Sequence, residues 1–172
     1  MNKNIPFFGY LLVSLVYGYY LFKNFNSKNN NDIFNDTLLL LGYGYLTYKH
    51  FKNLNSSNTK TEKEHYKKTD EHIDPKEKES EINYGYLILF VYYASLLITP
   101  NSEFEYYKYF ALFGNLLLIK NTKFIKFGYI ATIIYYLISA KHNLHELNHH
   151  EIKIKLVGIS LILYYTFTKL IS

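Results

Sequence analysis

The sequence predicts an all-α protein: a multipass transmembrane helical bundle of about six helices, arranged as three antiparallel hairpins, with a polar linker at 52–82. Three observations carry this. Six long apolar stretches recur along the chain. None of them alternates apolar and polar residues, as a half-buried strand or a membrane barrel strand would. The one long segment that interrupts them, 52–82, is almost wholly polar, with seven lysines, eight acids and Pro75. Such a segment cannot bury a core and reads as a solvated linker. The mean hydropathy of −0.12 averages these two unlike populations.

A membrane-spanning helix needs roughly 20 mostly apolar residues, within ~17–25. The first stretch, 5–22, reaches that range. It could act as a signal anchor, and "FKNFNSK" after it offers no small-residue cleavage site, so it is expected to be retained. The second, 37–48, is short without its polar flanks, and Asn29-Asn30-Asn31-Asp32 separates it from the first. The third, 84–99, spans once Asn83 or Pro100 is included. Pro100-Asn101 stops it, and Ser102-Glu103-Phe104-Glu105 has the spacing of a capping box that would start the fourth. The fourth, 106–119, is again short. The fifth, 124–140, and the sixth, 154–171, are long enough, with a histidine-rich segment between them. Three parts follow: an N-terminal hairpin in 1–51, the linker 52–82, and a four-helix region in 83–172.

A weak repeat supports three hairpins. Phe8-Gly9-Tyr10, Tyr84-Gly85-Tyr86 and Phe127-Gly128-Tyr129 each open an odd-numbered stretch. About seven residues later come Val16-Tyr17, Tyr92-Tyr93 and Tyr135-Tyr136. Small residues offer packing seams: Ser14 with Gly18, Ala111 with Gly114, Gly128 with Ala131. Interior tyrosines in lipid need hydrogen-bond partners on neighbouring helices or in another subunit.

Lysine placement orients the bundle. With six crossings, the side holding both termini, the linker and the 120–126 turn carries thirteen lysines, and the other side six. Both termini are therefore expected to be cytoplasmic, or on the matrix side of an organelle. The pI near 9.1 is better explained by membrane flanking than by nucleic acid, so no nucleic-acid partner is expected. The abundance of Phe, Tyr, Asn, Lys and Ile matches an AT-rich genome, and an organellar complex or a viral membrane fits it. No cysteine is present, which excludes disulfides, thiol nucleophiles and cysteine-ligated metal.

One segment points to chemistry. Residues 142–153, "HNLHELNHHEIK", hold four of the seven histidines, and His145–His149 matches H-E-x-x-H. On a helix that motif places two zinc ligands on one face with a glutamate, here Glu146, as general base. His142, His145 and His149 would share a face, but His142 and His149 would lie ~10.5 Å apart along the axis. One zinc cannot take all three at ~2.0–2.1 Å. A third ligand would have to come from Glu103, Glu105 or His142 of another copy. "LGYGY" at 41–45 resembles the Gly-Tyr-Gly of potassium-channel filters, but four leucines precede it and a lysine-rich segment follows. The stretches hold almost no ionisable residues, with Asp36 and Lys108 near ends and Asn115 the notable interior polar residue, which argues against a pump.

The expectation is a non-catalytic integral membrane protein with no cofactor. It would be a structural or accessory subunit whose partners are the lipid bilayer and other membrane subunits or itself. The rival is a zinc-dependent membrane hydrolase using HELNH, with Glu146 as base and His145, His149 and His142 as candidate ligands.

Overall fold

The computed structural model describes residues 4–27, 30–63, 82–98, 106–120, 124–144 and 149–171. They form six helices and no strand: α1 (Asn4–Ser27), α2 (Asn30–Lys63), α3 (Tyr84–Ile98), α4 (Lys108–Leu118), α5 (Ile125–Asn143) and α6 (His150–Ile171). Each apolar stretch of the sequence lies on one of them. The capping box at 102–105 lies outside the described residues. The described part of the fourth helix begins at Lys108, after Tyr107, with no side-chain cap.

Among the described residues two helices, α1 and α6, are long and apolar enough to cross a membrane, while α3 and α4 are shorter apolar helices. The eleven residues of α4 reach only about 17 Å at 1.5 Å per residue, against ~30 Å of hydrocarbon. The second helix is instead longer than its apolar stretch. It runs on through Lys63, so the first residues of the polar segment 52–82 are helical. Extending a formed helix adds one bond per residue without a new nucleus, and no proline stands between Asn30 and Pro75.

The helices close into a ring, since each packs on its sequence neighbours and α6 packs on α1. Neighbours run antiparallel. Across α1 and α2, Phe7 meets Phe51, Tyr10 meets His50, Tyr17 meets Tyr43, and Asn24 meets Asp36. Three seams of the ring are closed where one glycine faces the backbone of another. A Cβ on Gly158 would lie 3.0 Å from the Gly9 carbonyl, one on Gly85 3.1 Å from that of Gly42, and one on Gly114 3.2 Å from that of Gly128. These pairs join α6 to α1, α2 to α3 and α4 to α5. Each joins the odd helix of one hairpin to the even helix of the hairpin before it around the ring. The glycines of the Phe-Gly-Tyr and Tyr-Gly-Tyr echoes therefore each sit at a close crossing of an odd helix with the even helix before it around the ring.

The centre is filled with tyrosine. Tyr10 and Tyr86 share a hydrogen bond of 3.0 Å, Tyr43 and Tyr136 share another of 3.0 Å, and the Tyr93 hydroxyl donates to Tyr135 at 2.5 Å. Each pair links helices that are not neighbours in the ring. Leu46, Leu89, Ile162 and Val13 pack among them and are fully buried. Of the expected seams, Ala111, Gly114, Gly128 and Ala131 are buried between α4 and α5. Ser14 bonds its own helix at the Leu11 carbonyl, and Gly18 makes only an ordinary contact with Leu40.

Candidate functional site

Antiparallel packing gathers the starts of the odd helices and the later turns of the even ones at one end of the ring. Among residues whose side chains are described, that end carries Lys49, Lys52, Lys120, Lys126 and Lys169 and no carboxylate. The opposite end carries Asp32, Asp36 and Glu151 among its lysines. There, Asn24 Nδ2 donates to Asp36 Oδ2 at 2.7 Å, and Lys155 Nζ lies 5.5 Å from the centre of the Tyr17 ring.

At the lysine-bearing end a cavity of about 170 Å³ opens between five helices. Lys49, His50 and Asn53 come from α2, Asn83 and Tyr86 from the start of α3, Tyr129 from α5 and Tyr165 from α6. Tyr10, Tyr86 and Tyr129 follow the three repeated glycines, which is why they reach the same layer. His50 lies beyond the apolar stretch 37–48. Its ring stacks on Tyr10 at 5.4 Å and meets Tyr165 edge-on at 5.2 Å. Asn83 donates its backbone N–H to the Ile119 carbonyl at 2.7 Å, tying α3 to the end of α4. Its side-chain Oδ1 is buried and has no partner among the described residues.

Burial, then the charges of Lys49 and Lys169, push His50 down from 6.5 to about 4. The folded state therefore holds it neutral, while an unfolded chain protonates it below 6.5. Its contribution to stability is complete above 6.5 and is lost as pH falls towards 4, by up to about 3 kcal/mol. Thermal unfolding followed against pH is expected to show this loss, and His50→Asn to flatten the profile between those values. An unchanged profile in the variant would place the acid sensitivity elsewhere.

The histidine segment is described only in part. His142 stands exposed in the last turn of α5, its ring 6.3 Å from that of Tyr107. His149 is exposed and immediately precedes α6, where its carbonyl accepts from the Lys153 N–H. His145 and Glu146 lie outside the described residues, as do Glu103 and Glu105. Among the described residues no three His, Asp or Glu side chains come together as a metal site. The Gly-Tyr-Gly of 42–44 is continuous helix inside α2. A filter instead needs an extended loop of carbonyls.

The cavity is the feature that sequence reasoning missed. The repeated Gly-Tyr pairs carried part of its signal. His50 and Asn83 carried none, because a lone histidine beside lysines and an asparagine before a helix are common on any surface. No protein-family profile, no curated protein and no solved structure matches the chain.

Proposed function

We propose that the chain is a multipass integral membrane protein whose ring of six helices serves as a non-catalytic structural or accessory subunit of a membrane-embedded assembly. One observation carries the reading: an uncharged apolar belt surrounds the ring. Exposed apolar residues recur every seven positions along the helices, as Phe8, Leu15 and Phe22 on α1, Phe34, Leu41 and Tyr48 on α2, and Val157, Tyr164 and Ile171 on α6. Val91 on α3, Phe113 on α4 and Leu137 on α5 continue the belt. Among the described side chains, the charged ones lie towards the two ends of the ring. Water would disfavour so large a continuous apolar surface, and hydrocarbon accepts it. Only 22% of the apolar window of α6 is buried within the ring, unlike the core helix of a water-soluble domain.

The interior supports the structural role. Away from the cavity, buried polar groups satisfy one another or their own helices, as with Tyr43 and Tyr136, Asn115 and the Ala111 carbonyl, Thr132 and the Gly128 carbonyl, and Thr166 and the Ile162 carbonyl. That is the economy expected where water cannot reach. The short α3 and α4 are flanked by Tyr84, Tyr106 and Tyr109, which suit the interface, and local thinning of the bilayer costs fractions of a kcal/mol per Å. The lysine-bearing end faces the cytoplasm or matrix. Lipid and other subunits, or further copies of the chain, are the partners for the belt.

Topology tests this directly. The chain has no cysteine, so Lys52→Cys and His149→Cys each introduce a single label site. Membrane-impermeant labelling of sealed vesicles is expected to reach them from opposite sides. Labelling of both from one side would overturn the six crossings.

A further inference from the structure

We propose that the cavity at the lysine-bearing end binds a phosphate group that still carries a proton, either inorganic phosphate or the monoester phosphate of a lipid headgroup. The lining supplies the charge and the donors. Lys49 brings an ammonium, His50 a ring N–H, and Tyr129 and Tyr165 hydroxyls that make no hydrogen bond within the described residues. No Asp or Glu is among the described lining residues. Lys169 adds a second positive charge, close enough to act on His50 together with Lys49.

One lining atom asks for the opposite. Asn83 Oδ1 is a buried acceptor without a partner. A buried carbonyl left unsatisfied is costly, so a ligand that donates one hydrogen bond there while accepting several elsewhere is favoured. A phosphate monoester loses its second proton near pH 6, so around neutrality a share of it has one O–H beside its acceptor oxygens. Sulfate and phosphodiesters have no such proton at neutral pH. Size agrees, since 170 Å³ holds on the order of five waters at ~30 Å³ each, below the ~300–1,000 Å³ of sites for drug-sized ligands. One phosphate with a little water fits, and a nucleotide does not.

The cavity alone supports the phosphate. Only the lipid as its source rests on the membrane reading above. The test uses the full chain purified in zwitterionic detergent, with titration calorimetry against inorganic phosphate and against sulfate. A second arm compares phosphatidylcholine nanodiscs with and without phosphatidic acid. Phosphate is expected to bind about tenfold more tightly than sulfate, the value of one hydrogen bond to a charged group. Lys49→Met and Tyr129→Phe are each expected to weaken it about tenfold, while Lys141→Met at the opposite end leaves it unchanged. Circular dichroism checks that each variant is folded, and Tyr129→Phe keeps the ring so that packing is preserved. Stabilisation by phosphatidic acid that Lys49→Met abolishes assigns the lipid, and response to free phosphate alone assigns the soluble ion. No binding of either probe overturns the proposal, as does binding that both cavity variants leave intact. Flotation with phosphatidylcholine vesicles reports separately on membrane insertion, so its failure cannot be mistaken for failure of the site.

Discussion

Gly158→Val is expected to cost the fold about 3 kcal/mol, at the upper end of the range for overpacked cores. A Cβ there would sit 2.8 Å from Val13 Cγ2, 3.0 Å from the Gly9 carbonyl oxygen and 3.2 Å from Leu12 Cβ. Valine adds two methyls to that Cβ. Val13 could rotate, but the Gly9 oxygen is backbone and can retreat only if α1 moves off α6. That seam closes the ring, so the displacement reaches the tyrosine pairs of the centre. Gly85 is similar, with Leu46 Cγ at 2.6 Å and the Gly42 oxygen at 3.1 Å. Two residues along α2 from its partner, Gly44 has nothing within 4 Å of the same position. Gly44→Ala is accordingly expected to stabilise by about 0.5–1 kcal/mol through helix propensity, while Gly42→Ala destabilises. Thermal or denaturant unfolding in one detergent measures all three. A Gly158→Val protein that melts with the parent would show that the seam is not closed as described.

The contrast between Gly42 and Gly44 also marks where sequence reasoning stops. Run length and lack of alternation found all six helices and bounded α5 and α6 closely, as with 124–140 against Ile125–Asn143 and 154–171 against His150–Ile171, but not α2, which runs Asn30–Lys63 against 37–48. Hydrophobicity is a local property, so it can be read locally. The end of α2 could not be read, because composition marks 52–63 as polar without saying whether a helix already under way will continue through it. The repeated Phe8-Gly9-Tyr10, Tyr84-Gly85-Tyr86 and Phe127-Gly128-Tyr129 were visible, but their partners Gly42, Gly114 and Gly158 are followed by Tyr, Asn and Ile and echo nothing. Which glycine meets which is set by the ring. The cavity is less visible still, since its lining comes from five helices and one of its donors, His50, is separated by more than a hundred positions from Tyr165 against which it packs. The histidine segment marks a different limit. Its spacing matched a motif, while its meaning depended on a third ligand that spacing cannot supply.

Tyr43→Phe is expected to cost about 1–3 kcal/mol, and most of that is expected to return when Tyr136→Phe is added. The two hydroxyls share a 3.0 Å hydrogen bond, with the residues 2% and 5% exposed. Removing one oxygen leaves the other buried and unpartnered in a dry interior, which is the costly state. Removing both leaves two rings whose packing survives, since Tyr43 keeps its stack on Tyr17 at 5.7 Å. The pair Tyr93 and Tyr135 sharpens the test. Tyr135 also bonds the Ser139 side chain, so it retains a partner when Tyr93 becomes Phe. Tyr93→Phe is therefore expected to cost less than Tyr43→Phe, although both remove one buried hydroxyl. A double-mutant cycle on each pair, measured by unfolding in the same detergent, separates the two cases. A coupling near zero between Tyr43 and Tyr136 would mean that the hydroxyls do not rely on each other, and that the cross-ring bonds do not hold the bundle.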